Sequence, residues 1–394
     1  MARVAIIGGC RTPFVRAGGV FSEFSSLDMA LHVTQALCSR LKLDTERIDE
    51  LVSSAVLFDP RYPNAAREIV LRGNFPKNIN AHFVSNNCIS GLVASSIVAA
   101  AIKEGRIKCG LAVGSESMSN PTLTFRRKAE KFFLRLSRAK TLSDKIKLLS
   151  AFRPGFLAPQ APSPKEPSTG LTMGQHCELS AQEFRIGREV QDKIALKSHS
   201  SAEQAQRAGI LAQEIAALKN YDKDNLIRSD TGMEKLSSLK PVFEKSAKGT
   251  ITAGNSSALT DGASAVCLMD EDYARQNNFE ILAYLDAIEF AAIKPEDGLL
   301  MAPAVALPRL LNRCGLKIDD IDIFEIHEAF GAQVAANLLL WEKGWDKYNE
   351  ARPIGKIPDE KININGGSIA IGHPFAATGG RLLTAIVNEM RRSQ

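Results

Sequence analysis

Phe83-Val84-Ser85-Asn86-Asn87-Cys88-Ile89-Ser90-Gly91 is the stretch on which the fold turns. A β-type run ends in a polar turn, and Leu92 to Ile102 follow as an apolar helix. Strand, tight turn and helix in that order make one unit of an α/β fold. The turn also carries a thiol at a helix N-terminus, where unpaired N–H groups and the positive end of the dipole favour thiolate. Thiolate is the nucleophilic form, so Cys88 is a candidate for covalent catalysis. The competing reading is that cysteine is a small buried hydrophobe. If the thiolate reading holds, alkylating reagents should label Cys88 before the other cysteines.

Working outward, strand-like runs alternate with helix-period segments. Residues 4–8, 51–57 and 110–114 read as strands, and 27–41 as a helix. That alternation predicts an α/β fold with a mainly parallel sheet. An echo follows: a helix, an acidic turn and a buried strand at 36–52 return at 310–324. The Cys88 unit is likewise matched by Ile362-Asn363-Ile364-Asn365-Gly366-Gly367 running through His373 into a helix at 381–390. Two similar halves in a layered α/β arrangement fit this pattern. Residues 1–119, completed by 250–272, form the first half, and 273–394 the second. Between them, 120–249 reads as an inserted loop domain: a basic segment, a Pro-rich turn region at 154–167 and a long polar helix at 190–209. The first half is expected to close with a hairpin over 254–268, for which the second half has no counterpart.

Composition bounds the function. Hydrophobic content of 45% and charged content of 24% are those of an ordinary globular protein. No apolar run reaches the ~20 residues of a membrane span. The N-terminus reads directly as a strand, with neither signal nor transit character. Seven scattered cysteines without Cys-x-x-Cys point to a reducing, cytoplasmic setting and away from structural zinc. A net charge of +5 suits anionic small ligands or an anionic surface. Aromatics at 6% do not interleave with basic residues, which argues against nucleic acid. Neither a phosphate-cradling nor a dinucleotide glycine motif is present, so no cofactor is implied.

Four blocks in chain order resemble the thiolase superfamily: Asn87-Cys88-Ile89-Ser90-Gly91, Gly254-Asn255-Ser256-Ser257 with Asp261-Gly262-Ala263, His327-Glu328-Ala329-Phe330, and Gly366-Gly367-Ser368-Ile369-Ala370-Ile371-Gly372-His373-Pro374. Histidine at 327 and the basic insertion ending in Phe152-Arg153-Pro154-Gly155-Phe156-Leu157 are similar to the β subunit of the fatty-acid β-oxidation (trifunctional-type) complex. The resemblance implies βαβαβαββ halves and reversible Claisen chemistry, in which 3-ketoacyl-CoA and coenzyme A give acetyl-CoA and a shortened acyl-CoA, with CoA as substrate. It implies Cys88 as nucleophile, His373 as the group that takes the thiol proton and donates a hydrogen bond to the thioester oxygen, and His327 as a residue that helps hold the oxyanion developing on the acetyl thioester. Histidine suits proton exchange near neutral pH. It also implies that Ser257, Met173, Gly372 and Asn255 bind substrate, and that the chain is at least a homodimer.

The same resemblance implies a second catalytic cysteine in a closing hairpin beyond the Gly-His-Pro block. None of Cys10, Cys38, Cys109, Cys177, Cys267 or Cys314 lies in a matching motif. A natural chain continuing past Gln394 is the expected explanation. The basic stretch from Arg126 to Lys147 mixes apolar and cationic residues. It is expected to meet an α subunit or an anionic membrane, or else to form a solvated cover over the substrate. Two other functions remain open. One is ketoacyl-synthase-like decarboxylative condensation by a Cys-His-His set; the other is an inactive structural paralogue.

Overall fold

The computed structural model describes residues 2–393. Its centre is a sheet whose strands are β1 (Val4–Arg11), β2 (Val15–Arg16), β3 (Glu50–Ser54), β4 (Asn80–Val84), β5 (Cys109–Glu116), β8 (Thr260–Asp270) and β9 (Ala283–Tyr284), in the order β4-β3-β5-β8-β1-β9 with β2 on β8. A two-residue ladder, β6 (Thr124–Phe125) with β7 (Pro159–Gln160), lies apart.

Alternation along the strands sets the layers. Ala5, Ile7, Leu111, Val113 and Ala265 face α1 (Ser26–Leu41) and α2 (Ala65–Arg72), meeting Met29, Val33, Leu37 and Ile69. Val4, Ile6, Ala112, Val266 and Leu268 face the other way, onto Ala94, Val98 and Ile102 of α3 (Ser90–Lys103). Every residue of β5 and β8 is buried, as expected of strands covered on both faces.

The sheet is mixed rather than mainly parallel. β3 pairs in parallel with β4 and β5, but β8 runs antiparallel to β5, β1 and β2, and β9 antiparallel to β1. The cause is the return strand after the insertion, which enters between β5 and β1 from the opposite end. The expected hairpin over 254–268 does not form either. Thr252 bridges Pro241, and Ser256 bridges Phe330. Asn255 closes a loop there, its Oδ1 accepting from the Thr252 N–H at 2.8 Å.

The inserted stretch supplies α4 (Arg127–Arg138), α5 (Leu142–Leu149), α6 (Met173–Glu183), α7 (Arg188–Arg207) and α8 (Met233–Ser238). After β8 come α9 (Glu271–Gln276), α10 (Pro303–Cys314), α11 (Gly331–Lys343), α12 (Ser368–Ile371) and α13 (Ala377–Arg392). The strands anticipated near 323–324 and 362–364 are reduced to a single parallel bridge, Phe324 to Ile362. Among the described residues nothing plays for them the part that β8 plays between β5 and β1. α13 packs on the first sheet beside α3, and Val387 joins the same cluster as Val98. Glycines allow the approach: a Cβ on Gly379 would lie 2.6 Å from the Leu92 nitrogen, and one on Gly91 would lie 2.5 Å from the Ala376 carbonyl oxygen.

Candidate active site

Cys88 sits between β4 and α3, in a turn that puts Asn87 at φ 46°. Ser90 ties the turn by accepting from the Asn86 N–H at 2.7 Å and donating to the Asn87 carbonyl at 2.6 Å. The residue is partly exposed, but its thiol is largely shielded from water. Its protonation differs from the expectation. Loss of hydration pushes the thiol up to about 12, the Glu116 carboxylate raises it further, and a backbone hydrogen bond only partly opposes them. Burial and the Glu116 charge both act toward the protonated form, and the resting group is a thiol. Cys314 is the exposed cysteine, whereas Cys88 is only partly exposed.

Glu116 ends β5 and lies beneath this turn. Its carboxylate accepts from the N–H groups of Val56 and Leu57, both at 2.9 Å, and from the backbone of Ala376. Burial nevertheless pushes it up to about 7. It thus fastens the 56–57 loop to the segment after His373.

His373 follows Gly372, whose φ of 109° no side-chain-bearing residue takes up readily. A Cβ at Gly372 would also meet Leu226 Cδ1 at 2.7 Å. The His373 N–H donates to Thr260 Oγ1 at 3.0 Å, and Nδ1 lies 2.6 Å from Thr378 Oγ1. His327 precedes α11, with Nδ1 2.8 Å from Ser368 Oγ. The two rings lie 4.0 Å apart at 42°. Both Nε2 atoms are buried without a hydrogen-bond partner. Burial, then the Arg381 charge, depress His327 to about 3. Burial, then His327 and Arg381, hold His373 well below the usual imidazole range. Both rings are neutral at physiological pH.

The fold brings Cys88, His327 and His373 together, with Sγ and a nitrogen of each ring all within 4.8 Å of one another. These three are also the donors among the described residues that could hold a soft metal ion such as zinc. A neutral thiol beside a neutral imidazole can transfer its proton as sulfur attacks a carbonyl, and a second imidazole can meet the oxygen charge that develops.

Glu328 faces away from this cluster. Its carboxylate accepts from Ser198 Oγ at 2.6 Å, Asn363 Nδ2 at 2.5 Å and the Ile369 N–H at 3.2 Å. It anchors the turn before α12, where a Cβ on Gly367 would fall about 2.1 Å from its carboxyl carbon.

A groove is lined by Arg16, His199, Arg228, Phe243 and Ser257 among others. Ser257 is fixed there by donation to the Ala329 carbonyl at 3.1 Å. Asn255 is buried and donates to Asp192 at 2.9 Å, so it shapes the loop and does not line the groove. Met173 opens α6 and lies off the lining, whereas Gly174 packs against the Phe243 ring that does line it. Residue-by-residue reading passed over Thr260, Thr378, Ser368 and Arg381. Two of them stand inside or beside the Gly-Gly-Ser and Gly-His-Pro blocks, and that proximity was the available signal.

The thiolase N-terminal domain model matches residues 4–272 and the thiolase C-terminal domain model residues 279–394. A 3-ketoacyl-CoA thiolase of Pseudoalteromonas translucida is 40% identical over 99% of this chain and 91% of its own. Among solved structures, human mitochondrial 3-ketoacyl-CoA thiolase in complex with CoA is 29% identical, with a TM-score of 0.81, over 100% of this chain and 92% of that one. An acetyl-CoA acetyltransferase from Syntrophomonas wolfei is 27% identical with a TM-score of 0.85, over 100% and 94%.

Proposed function

The chain belongs to the thiolase family and is an acyltransferase, and on that premise we propose that it cleaves 3-ketoacyl-CoA through an acyl-enzyme on Cys88, releasing acetyl-CoA and passing the shortened acyl group to CoA. The observation that carries this reading is the approach of one thiol and two neutral imidazoles to within 4.8 Å.

His373 Nε2 takes the Cys88 proton as Sγ attacks the 3-keto carbon, and His327 faces the oxygen charge. The bond between C2 and C3 then breaks, its electron pair leaves on C2, and the proton held by His373 passes to C2 to complete acetyl-CoA. CoA thiol next loses its proton to His373 and attacks the thioester, and His373 returns that proton to Cys88 as the acyl group leaves. Atoms balance over the two halves. The groove supports CoA binding: Arg16 and Arg228 offer charge for phosphates, and Ser257 stands on its wall.

The setting we propose is fatty-acid β-oxidation in a reducing, cytoplasmic compartment. β4 supports a homodimer, because it forms the sheet edge with an exposed side beside the Cys88 turn. The stretch from Arg126 to Lys147 supports docking on an anionic membrane. It holds nine basic and two acidic side chains, a net +7 against +5 for the whole chain. Leu134, Leu142 and Ile146 are exposed within it. A companion α subunit is the alternative occupant.

The test mixes enzyme with 3-ketoacyl-CoA alone and measures intact mass. A shortened acyl adduct on Cys88, removed by added CoA and absent from Cys88→Ala, is expected. Carbon dioxide released from malonyl-CoA without CoA-dependent cleavage would establish decarboxylative condensation instead.

A further inference from the structure

Behind the two imidazoles lie different groups, and the difference decides which nitrogen of His327 carries its proton. Arg381 is buried with its Nη1 3.1 Å from Glu325 Oε2 and its Nη2 3.2 Å from Ser368 Oγ. A guanidinium has donors and no acceptor, so Ser368 Oγ accepts from Arg381. Ser368 is itself wholly buried. Its hydroxyl carries one proton, and the other polar atom within hydrogen-bond reach is His327 Nδ1 at 2.8 Å. Were Nδ1 protonated, the hydroxyl would accept twice and its own proton would have no partner, an outcome buried groups avoid. With Nδ1 as acceptor, each of these three contacts is satisfied. The His327 proton then lies on Nε2, the buried atom without a protein partner, on a ring that clusters with Cys88 and His373. His373 differs: its Nδ1 meets Thr378 Oγ1, which no cation feeds, so Nδ1 can donate and leave Nε2 as a base.

We propose that Arg381 and Ser368 form a positioning relay that locks His327 in the Nε2–H tautomer, making it a fixed donor to the substrate oxygen while its neighbour remains a proton acceptor. This deepens, and rests on, the thiolytic reading of the site.

The relay is tested with Ser368→Ala in three measurements. First, thiolysis kinetics should show kcat reduced about tenfold or more, with KM for CoA unchanged within about twofold, because a lost oxyanion donor acts on the transition state. Second, long-range ¹H–¹⁵N correlation spectra of ¹⁵N-histidine enzyme, assigned with His327→Ala, should show Nε2–H at His327 in the wild type and an altered tautomer balance in Ser368→Ala. Third, the substitution should cost nothing further in a His327→Ala background, since it acts through that ring. Equal losses in both backgrounds, or an Nδ1–H tautomer in the wild-type spectrum, overturn the relay. Ser368→Cys, which retains a weak donor, should recover part of kcat; recovery no better than alanine also counts against it. Failure of the underlying reading would look different: Cys88→Ala would still turn over.

Discussion

Gly91→Ala offers the sharpest perturbation of the site, because it adds one methyl group where two catalytic segments touch. The Cβ would stand 2.5 Å from the Ala376 carbonyl oxygen and 3.2 Å from the Gly380 nitrogen, both backbone atoms that cannot swing aside. Ordinary C···O contacts begin at about 3.3 Å, so the α3 start and the segment after His373 must separate by about 0.8 Å. Overpacking of this kind costs about 1–3 kcal/mol. Alanine in place of glycine near a helix start returns up to about 1 kcal/mol, leaving a net loss of roughly 0–3 kcal/mol. Activity is the more sensitive readout. Misplacement by 1 Å can cost about 10²-fold, and Cys88 and His373 lie on the two segments being parted. We expect kcat to fall 30- to 100-fold, as an order-of-magnitude figure from that relation, with KM for CoA little changed. The assay is CoA-dependent loss of 3-ketoacyl-CoA absorbance, beside urea unfolding of the same preparations. Gly155→Ala, where the added Cβ meets nothing within 4 Å, is the neutral control. Wild-type kcat in Gly91→Ala would refute the claim that this contact sets the distance between thiol and base.

The remaining predictions concern protons and surfaces. Folded His373 titrates well below its ordinary 6.5, so its contribution to stability is present above pH 6.5 and is lost as pH falls below it. Glu116 and Glu325, both pushed up to about 7, act in the opposite direction between the ordinary carboxylate range and 7. The comparison is therefore made against His373→Gln, in which the carboxylates cancel. Between pH 7 and 5 the wild type should lose about 2 kcal/mol relative to the variant, read by urea unfolding at each pH. Glu116→Gln removes a charge that raises the Cys88 thiol. Thiolate absorbance titrated in a Cys314→Ser background should therefore appear at lower pH than with Glu116 present, and an unchanged midpoint would reject that coupling. Iodoacetamide followed by peptide mapping should modify Cys314 first, while acyl transfer remains confined to Cys88. Reversing charge at Arg127, Lys128, Lys131 and Arg135 should abolish binding to vesicles rich in anionic lipid while leaving thiolysis within about twofold; retained binding removes the membrane proposal.

Local chemistry is legible in the linear chain because it is local. The strand-turn-helix around Cys88, the helix at Ser26–Leu41 and the polar helix at Arg188–Arg207 follow from residue spacing and turn composition. The four blocks that announced the family also lie within short windows. What lies between windows was not readable. β8 could be foreseen as a buried strand, but not as one that enters antiparallel between β5 and β1. Asn255 stood in a block read as substrate-binding, yet its amide is spent on Asp192 and on its own loop.

The amino-acid order determined which groups are present: one thiol at a helix start, two histidines in glycine- and glutamate-bearing turns, and a basic amphipathic stretch. Tertiary structure decided what those groups are. Thiol or thiolate, and which imidazole nitrogen holds a proton, depend on hydration and on partners that chain folding brings from distant segments. Burial and Glu116 raise the Cys88 thiol, and Ser368 and Arg381 are the groups that meet His327 Nδ1 and its partner hydroxyl. Hydrogen bonding and desolvation act over a few ångströms of space, and separation along the chain carries no measure of that distance.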